Sequence, residues 1–325
     1  ISEADASTGH SVAINMWTFN ETTGDLLDVW TYAYKVIDQS TRGINGALEL
    51  LESEGLPDGD DVKLESSLSQ FYALRALAHF DLVNLFGLPY KAGGGNSQPG
   101  IVVISDTPIE EFQQVSRSSV EETYAQILSD IENAKKYADS DLNQYYFNEA
   151  AVYALAARVN LYMHRYEAAI DAAEEAIKLR KSAGVSNETY ITMWRNTAIT
   201  GEDIFTLVKS EDDNLSANAL NTLYGSYGSS VSEFTRTRFA TTDIRSALIY
   251  KHADYGTNHP GKYDGLPSSA AVGNIPVFRL SEMYLIIAEA EAELGNIAPA
   301  QTALLYTAKR NTAITTVADL PATQD

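Results

Sequence analysis

Residues 70–90 read QFYALRALAHFDLVNLFGLPY. With the residues from about Leu64 onward, they predict one long helix. Leu64, Leu68, Phe71, Ala78, Leu82 and Leu85 recur at the spacing of a single helical face. Tyr72, Leu74, Ala76, Leu77, Phe80 and Val83 make most of the remaining surface apolar too. A helix that is apolar nearly all round is central, with neighbours on several sides. Gly87 suits the C-terminal cap, and Pro89 cannot continue the helix. Arg75 stands inside this apolar pattern. A buried guanidinium requires a carboxylate or several carbonyls around it. Glu282 or Glu289, from a second apolar stretch far downstream, is the expected partner.

Upstream, Leu26, Val29, Trp30, Ala33, Val36 and Ile37 predict a helix over about 25–54, weakened in its middle by Gly43 and Gly46. Downstream, AGGGNSQPG is a flexible loop. IVVIS (101–105) reads as a short strand. Ser118 with Glu121 and Glu122 signals an N-cap before a helix over 120–138. Residues 148–179 form a helix pair in which Ala157, Tyr166, Ala169 and Ala176 fall at spacings similar to a tetratricopeptide repeat. The pattern returns 131 residues later, where Tyr284, Ala288 and Ala300 correspond to Tyr153, Ala157 and Ala169. Between the two pairs the text changes to Ser, Thr, Asn, Tyr and Gly, with DIFTLVKS (203–210) as a strand. The fold class expected is mainly α: tetratricopeptide-like helix pairs over about 25–183 and 279–312 form a scaffold. An irregular, loop-rich insertion over about 184–278 and a few short strands complete it. A long insertion between repeat pairs is where such a scaffold places a binding surface.

Bulk composition excludes several functions. The 325 residues are enough for one large domain or two ordinary ones, and 45% hydrophobic content supplies a core. No run is long and apolar enough to predict a membrane-spanning helix. ISEADASTGH at the start lacks a basic and then apolar leader, so this form is not expected to be a precursor. Forty-four acidic against 23 basic residues, a net charge of −21, oppose nucleic-acid binding and peripheral attachment to anionic lipid. Absence of cysteine excludes disulfides and thiolate metal sites. The five histidines never pair at i,i+4, and neither SEDDN (210–214) nor DGDDVKLE (58–65) fits a calcium loop. GGGN (93–96) lacks the Lys-Ser/Thr of a phosphate loop, and there is no GxSxG elbow. No cofactor or metal is expected. Carboxylates are plentiful, but sequence alone cannot pair two of them into a glycosidase site.

RALAHFDLVNLFGLPY (75–90) and IPVFRLSEMYLIIAEAEAELG (275–295), in this order and at this wide spacing, together resemble the two signatures of the SusD/RagB family. These are surface nutrient-binding lipoproteins of Bacteroidetes. WTYAYKVI (30–37) and SRSSVEETYAQILSDIENA (116–134) are similar to further family segments. The resemblance implies a single SusD-like domain over 1–325 on a tetratricopeptide scaffold, and binding rather than catalysis. It implies an oligosaccharide ligand and delivery to a SusC-like TonB-dependent transporter. It also implies a cell-surface location on the outer membrane, through an N-terminal lipid anchor that this chain does not carry. Typical members continue further, with an acidic and arginine-rich helix, so the chain is expected to be a shorter form. Alternatives are RagB-like peptide capture, a tetratricopeptide adaptor for a protein partner, and a glycoside hydrolase.

An oligosaccharide offers flat C–H faces to aromatic rings and a rim of hydroxyls to Asn, Asp and Arg. Of the 19 tyrosines, Tyr34, Tyr72, Tyr124, Tyr153 and Tyr284 lie on apolar stripes and are expected to pack helices. Aromatics in polar text are the better ligand candidates: Trp17 and Phe19 with Asn20, Trp194 with Arg195 and Asn196, and Tyr224, Tyr227, Phe234 and Phe239 with Arg236 and Arg238. In starch-binding relatives, contacts come from the loop before the first helix and from the central insertion. The expected site is therefore a platform of Trp17, Tyr224 and Tyr227, rimmed by Asn20 and Arg236.

Overall fold

The structure, a computed structural model, describes residues 2–3 and 12–323. The chain divides into two compact units. One comprises Leu26–Lys181 with Glu289–Gly295; the other comprises Ile1–Asp25, Ser182–Ala288 and Asn296–Asp325.

The first unit is helical. Its elements are α1 (Gly24–Glu52), α2 (Asp60–Phe86), α3 (Val120–Lys136), α4 (Glu149–Tyr162) and α5 (Tyr166–Arg180). As the apolar pattern requires, α2 is central, packed on α3 and α4, and Leu68, Ala73, Ala76 and Leu82 are fully buried. It stops at Phe86, where the Gly87 N–H bonds the Val83 carbonyl at 2.9 Å. A Cβ on Gly87 would lie 2.7 Å from that oxygen, so glycine is required for close approach. The N-cap of α3 is Ser119, one residue beyond the expected Ser118. Its hydroxyl accepts from the Glu122 N–H while Glu122 bonds back, a reciprocal capping box.

Segment 101–105 differs from expectation. It runs extended and buries Ile101 and Ile104, but it is not a strand. Side chains take the place of a neighbouring strand. The Tyr34 hydroxyl donates to the Val102 carbonyl at 2.8 Å and accepts from its N–H at 2.9 Å, and the Ile104 N–H donates to His79 Nε2 at 3.4 Å.

Arg75 is 2% exposed, as its apolar surroundings predict, but its partner is Asp130 of α3 rather than Glu282 or Glu289. Two parallel bonds join them, Nη2 to Oδ1 at 2.6 Å and Nε to Oδ2 at 2.9 Å. Nη1 reaches Thr41 Oγ1 at 3.1 Å and the Ser105 carbonyl. The physical reason for the difference is register. Asp130 lies beside Ile127, Ile131 and Ala134 on the buried face that α3 turns toward α2.

α6 (Leu280–Glu293) begins in the second unit and α7 (Ile297–Ala308) lies in it, with Tyr284 stacked on Tyr306 at 4.0 Å between ring centres. α4 begins at Glu149 and α6 at Leu280, α5 at Tyr166 and α7 at Ile297, a constant offset of 131 residues. The internal repeat is therefore exact in helix starts. Strands are short: β1 (Asp203–Leu207), β2 (Ile249–Lys251), β3 (Asn258–Pro260) and β4 (Ile275–Arg279) pair antiparallel as β1 with β4 and β2 with β3. Glu202, fully buried, ties this unit together. Its carboxylate accepts from the Ser281 N–H at the start of α6 at 3.2 Å, from the Tyr306 hydroxyl at 2.7 Å and from Arg310 Nη2 at 3.3 Å. Gly184 (φ 80°) approaches so closely that a Cβ would lie 1.8 Å from the Tyr306 hydroxyl.

Two stability predictions arise here. Arg75→Met leaves Asp130 buried and unpaired, and should cost about 3–5 kcal/mol in denaturant unfolding. The double variant Arg75→Met/Asp130→Leu should recover most of that loss; a single variant as stable as wild type would contradict the pairing. His79, fully buried, has its imidazole pushed down to about 3 by burial and then by the neighbouring Arg75 charge. The unfolded chain therefore binds a proton below about pH 6.5 that the folded chain refuses until about pH 3. Stability should fall as pH falls through that window. His79→Gln should reduce the slope by about one proton, and an unchanged slope would show that His79 titrates normally.

Candidate functional site

The loop-rich part of the second unit encloses a cavity of about 370 Å³. One wall is the β1–β4 pair. Its register shifts between Asp203 and Phe205 and again between Phe205 and Thr206. Such irregularities re-aim side chains, and Asp203, Thr206, Pro276 and Arg279 all line the cavity. A second wall is the turn from Gly265 to Asn274. Gly265 has φ 67°, and a Cβ there would lie 2.3 Å from the Ala270 carbonyl oxygen, so only glycine permits this fold-back. Small residues, Ala270, Ala271 and Gly273, keep that wall thin.

Trp194 forms the aromatic side. Its ring packs edge-on against Tyr190 beside the small core of Tyr190, Met193 and Leu248. Lys262 Nζ lies 4.9 Å and the Arg279 guanidinium 5.1 Å from the indole centre. Neither cation has a carboxylate within ion-pair distance among the described residues. The carboxylates nearby in sequence are engaged elsewhere. Asp203 accepts from the Thr200 N–H at 2.7 Å and hydroxyl at 2.8 Å; Asp243 holds Arg245 at 2.6 Å. Asp264 takes the Tyr250 hydroxyl at 2.7 Å, His259 at 3.1 Å and Arg195 at 3.1 Å. Burial pushes the Lys262 ammonium down to about 8, with Arg279 and then Arg245 repelling it further.

Among the described residues, four buried polar atoms of side chains on this cavity have no hydrogen-bond partner: Trp194 Nε1, Thr206 Oγ1, Asn221 Oδ1 and Arg279 Nη1. Each such atom costs about 1–3 kcal/mol if left unsatisfied. Among the described residues, no group of three or more His, Asp or Glu could hold a metal ion. The Asp264–His259 pair has no serine, threonine or lysine bonded to its imidazole among the described residues that would make it a nucleophile relay.

The residues expected to form a platform are placed as follows. Trp17 is 84% exposed, with φ 57°, a backbone conformation unusual for a bulky residue, and its ring lies 6.1 Å from Phe19. Asn20 is exposed, and its Oδ1 accepts from the Thr22 N–H and hydroxyl, closing its own turn. Tyr224 ends a short helix, Leu220–Tyr224, and Tyr227 follows in the next turn; both are half-buried. Arg236 is exposed and forked onto Glu233, which holds that carboxyl down at about 2. No ring contact or hydrogen bond joins Trp17 to Tyr224, Tyr227 or Arg236 among the described residues. Of the wider candidates, Trp194 and Asn196 line the cavity, Phe234 lies under Arg238, and Phe239 lies under Arg245. Sequence reading missed Lys262, Arg279, Thr206 and Asn221. They come from four separate stretches, and only the β1–β4 pairing and the Gly265 turn bring them together.

Comparison with known proteins covers nearly the whole chain. The family described as "Starch-binding associating with outer membrane" matches residues 3–161, and the SusD family matches residues 167–311. A Bacteroides vulgatus protein provisionally described as sugar-binding superposes with a TM-score of 0.86 at 26% identity, over 97% of this chain and 72% of that one. A SusD superfamily protein from Bacteroides thetaiotaomicron gives 0.78 at 26% identity, over 89% and 68%. SusD-like protein P38 of Formosa agariphila is 30% identical over 42% of this chain, and SusD-like protein P2 of the same organism 25% identical over 53%. Those two matches span 24% and 31% of the relatives' own length. Two adjoining family matches and a shared fold lead to one conclusion: the chain belongs to the SusD/RagB family.

Proposed function

We propose that this chain binds oligosaccharide at the cell surface and delivers it to a SusC-like TonB-dependent transporter in the outer membrane. The carrying observation is the Trp17 indole, 84% exposed beside a 42% exposed Phe19 in a chain of this family. A ring of that size held in water is unfavourable unless a ligand or partner covers it. Stacking on a sugar's C–H face is the chemistry it offers. In this reading the half-buried Tyr224 and Tyr227 would offer further rings and Asn20 and Arg236 hydrogen bonds to the ligand; Arg236 retains donors beyond those given to Glu233.

Several observations support the ligand class. One structural neighbour is described as sugar-binding, and a laminarin-binding SusD-like protein shares the fold at a TM-score of 0.70. No helix among the described residues is long and apolar enough to cross a membrane.

Stacking contacts of about 0.5–1.5 kcal/mol each, with a few hydrogen bonds, support micromolar-to-millimolar affinity, which suits a protein that must release its cargo. Trp17→Ala removes no buried surface, so its melting temperature should equal that of wild type. Its affinity for a neutral oligosaccharide in calorimetry should fall about 2- to 10-fold. Unchanged affinity would remove Trp17 from the site. A wild-type chain that binds peptides and no glycan would replace the carbohydrate reading with a RagB-like one.

A further inference from the structure

We propose that the cavity between the β1–β4 pair and the Gly265–Asn274 turn binds an oxyanion carried on a sugar ring: the carboxylate of a uronic acid or the sulfate of a sulfated sugar. This deepens the oligosaccharide reading and rests on it for the sugar. The charge preference rests on the cavity alone.

Three features converge on an anion. Lys262 and Arg279 are both on the cavity wall without a carboxylate partner among the described residues, while neighbouring arginines have one: Arg195 on Asp264, Arg245 on Asp243. Burial first, and then repulsion from Arg279 and Arg245, lowers the basicity of Lys262, and this cost stands while no anion is near. An oxyanion between them relieves it. Second, two of the unpartnered buried atoms, Arg279 Nη1 and Trp194 Nε1, are donors, and the Thr206 hydroxyl can donate. Asn221 Oδ1 is an acceptor and suits a ring hydroxyl beside the anion. Asp203 also lines the cavity; Thr200 holds it by two bonds, and it suits a second hydroxyl. Third, the Trp194 indole gathers both cations around one ring, Lys262 Nζ at 4.9 Å and the Arg279 guanidinium at 5.1 Å from its centre. A volume of about 370 Å³ is at the lower end of small-molecule sites, room for one or two sugar rings.

The chain's net charge of −21 does not oppose this. Exposed charges are screened beyond about 8 Å at physiological salt, whereas the partly desolvated cations of the cavity act at contact. A cationic pocket in so acidic a protein also discriminates.

Calorimetry on the full chain tests the proposal with three probes: an oligogalacturonate, its methyl ester, and a sulfated galactan oligosaccharide. The ester keeps the sugar and removes the charge. Wild type should bind at least one of the two anionic probes about tenfold or more tighter than the ester. Lys262→Met and Arg279→Gln should each erase most of that preference, while Lys63→Met, at an exposed cation paired with Asp60 away from the cavity, should leave the ratio of acid to ester unchanged. Lys262→Met removes a cation held against burial, so it should fold at least as stably as wild type even if Arg279→Gln does not. Which anionic probe prevails assigns the carboxylate or the sulfate. Equal binding of acid, sulfate and ester, or a preference that survives both substitutions, would overturn the cavity assignment and leave the glycan reading intact. Tight binding of an anionic probe with no neutral glycan bound would support the cavity and overturn the Trp17 platform.

Discussion

A guanidinium taken out of water must recover both its charge balance and its hydrogen bonds, or the fold loses several kcal/mol. Arg75 recovers them from three elements at once. Asp130 of α3 neutralises it with two bonds, Thr41 of α1 takes a third, and the Ser105 carbonyl takes a fourth. The segment 101–105, which has no strand partner, is thereby fixed against the helices. Tyr34 fixes its other end through Val102. Burial pushes the Asp130 carboxyl upward while Arg75 opposes it, so the pair depends on its geometry to stay ionised. The apolar stretch 70–90 can be nearly all buried because its single cation is satisfied.

The second unit solves the same problem with the order reversed, a buried carboxylate collecting donors. Glu202 caps the start of α6, bonds Tyr306 of α7 and holds Arg310, which in turn reaches the Val185 carbonyl at 2.9 Å and Asn187 Oδ1 at 3.0 Å. α6, α7 and the start of the loop-rich region thus share one side chain. The loops beyond it are short of regular hydrogen bonding, and their order comes from such polar knots and from close glycines.

Most of the fold was legible in the sequence because it is written in periodicity. The face spacing of Leu68 and Leu82, the stop at Gly87 and the 131-residue repeat are local or near-identical patterns; the repeat helices start within a residue of expectation, while α2 starts at Asp60, one turn before Leu64. Legibility ended where partners are distant. That Arg75 would be buried follows from its own helix; that Asp130 would be its partner depends on how α3 is rotated. IVVIS has a strand's composition, but its backbone pairing is confined to one end, where the Ser118 N–H bonds the Ile101 carbonyl at 2.7 Å, and does not continue into a ladder. At the site, Trp17 and Trp194 stood out as rings in polar text. Lys262 and Arg279 did not, since an isolated Lys in GKYDG or Arg in VFRL reads as surface charge. Their meaning lies in the absence of carboxylate partners, which only the tertiary structure reveals.

Family membership and an exposed aromatic pair point the same way, toward reversible capture of a saccharide, and the cationic cavity adds a preference in charge. A glycan array displaying neutral, uronic-acid and sulfated oligosaccharides beside a peptide panel tests this most directly. The account predicts binding to glycans, strongest to those carrying an acidic group, and none to peptides. Binding confined to peptides, with every glycan left unbound, would contradict it.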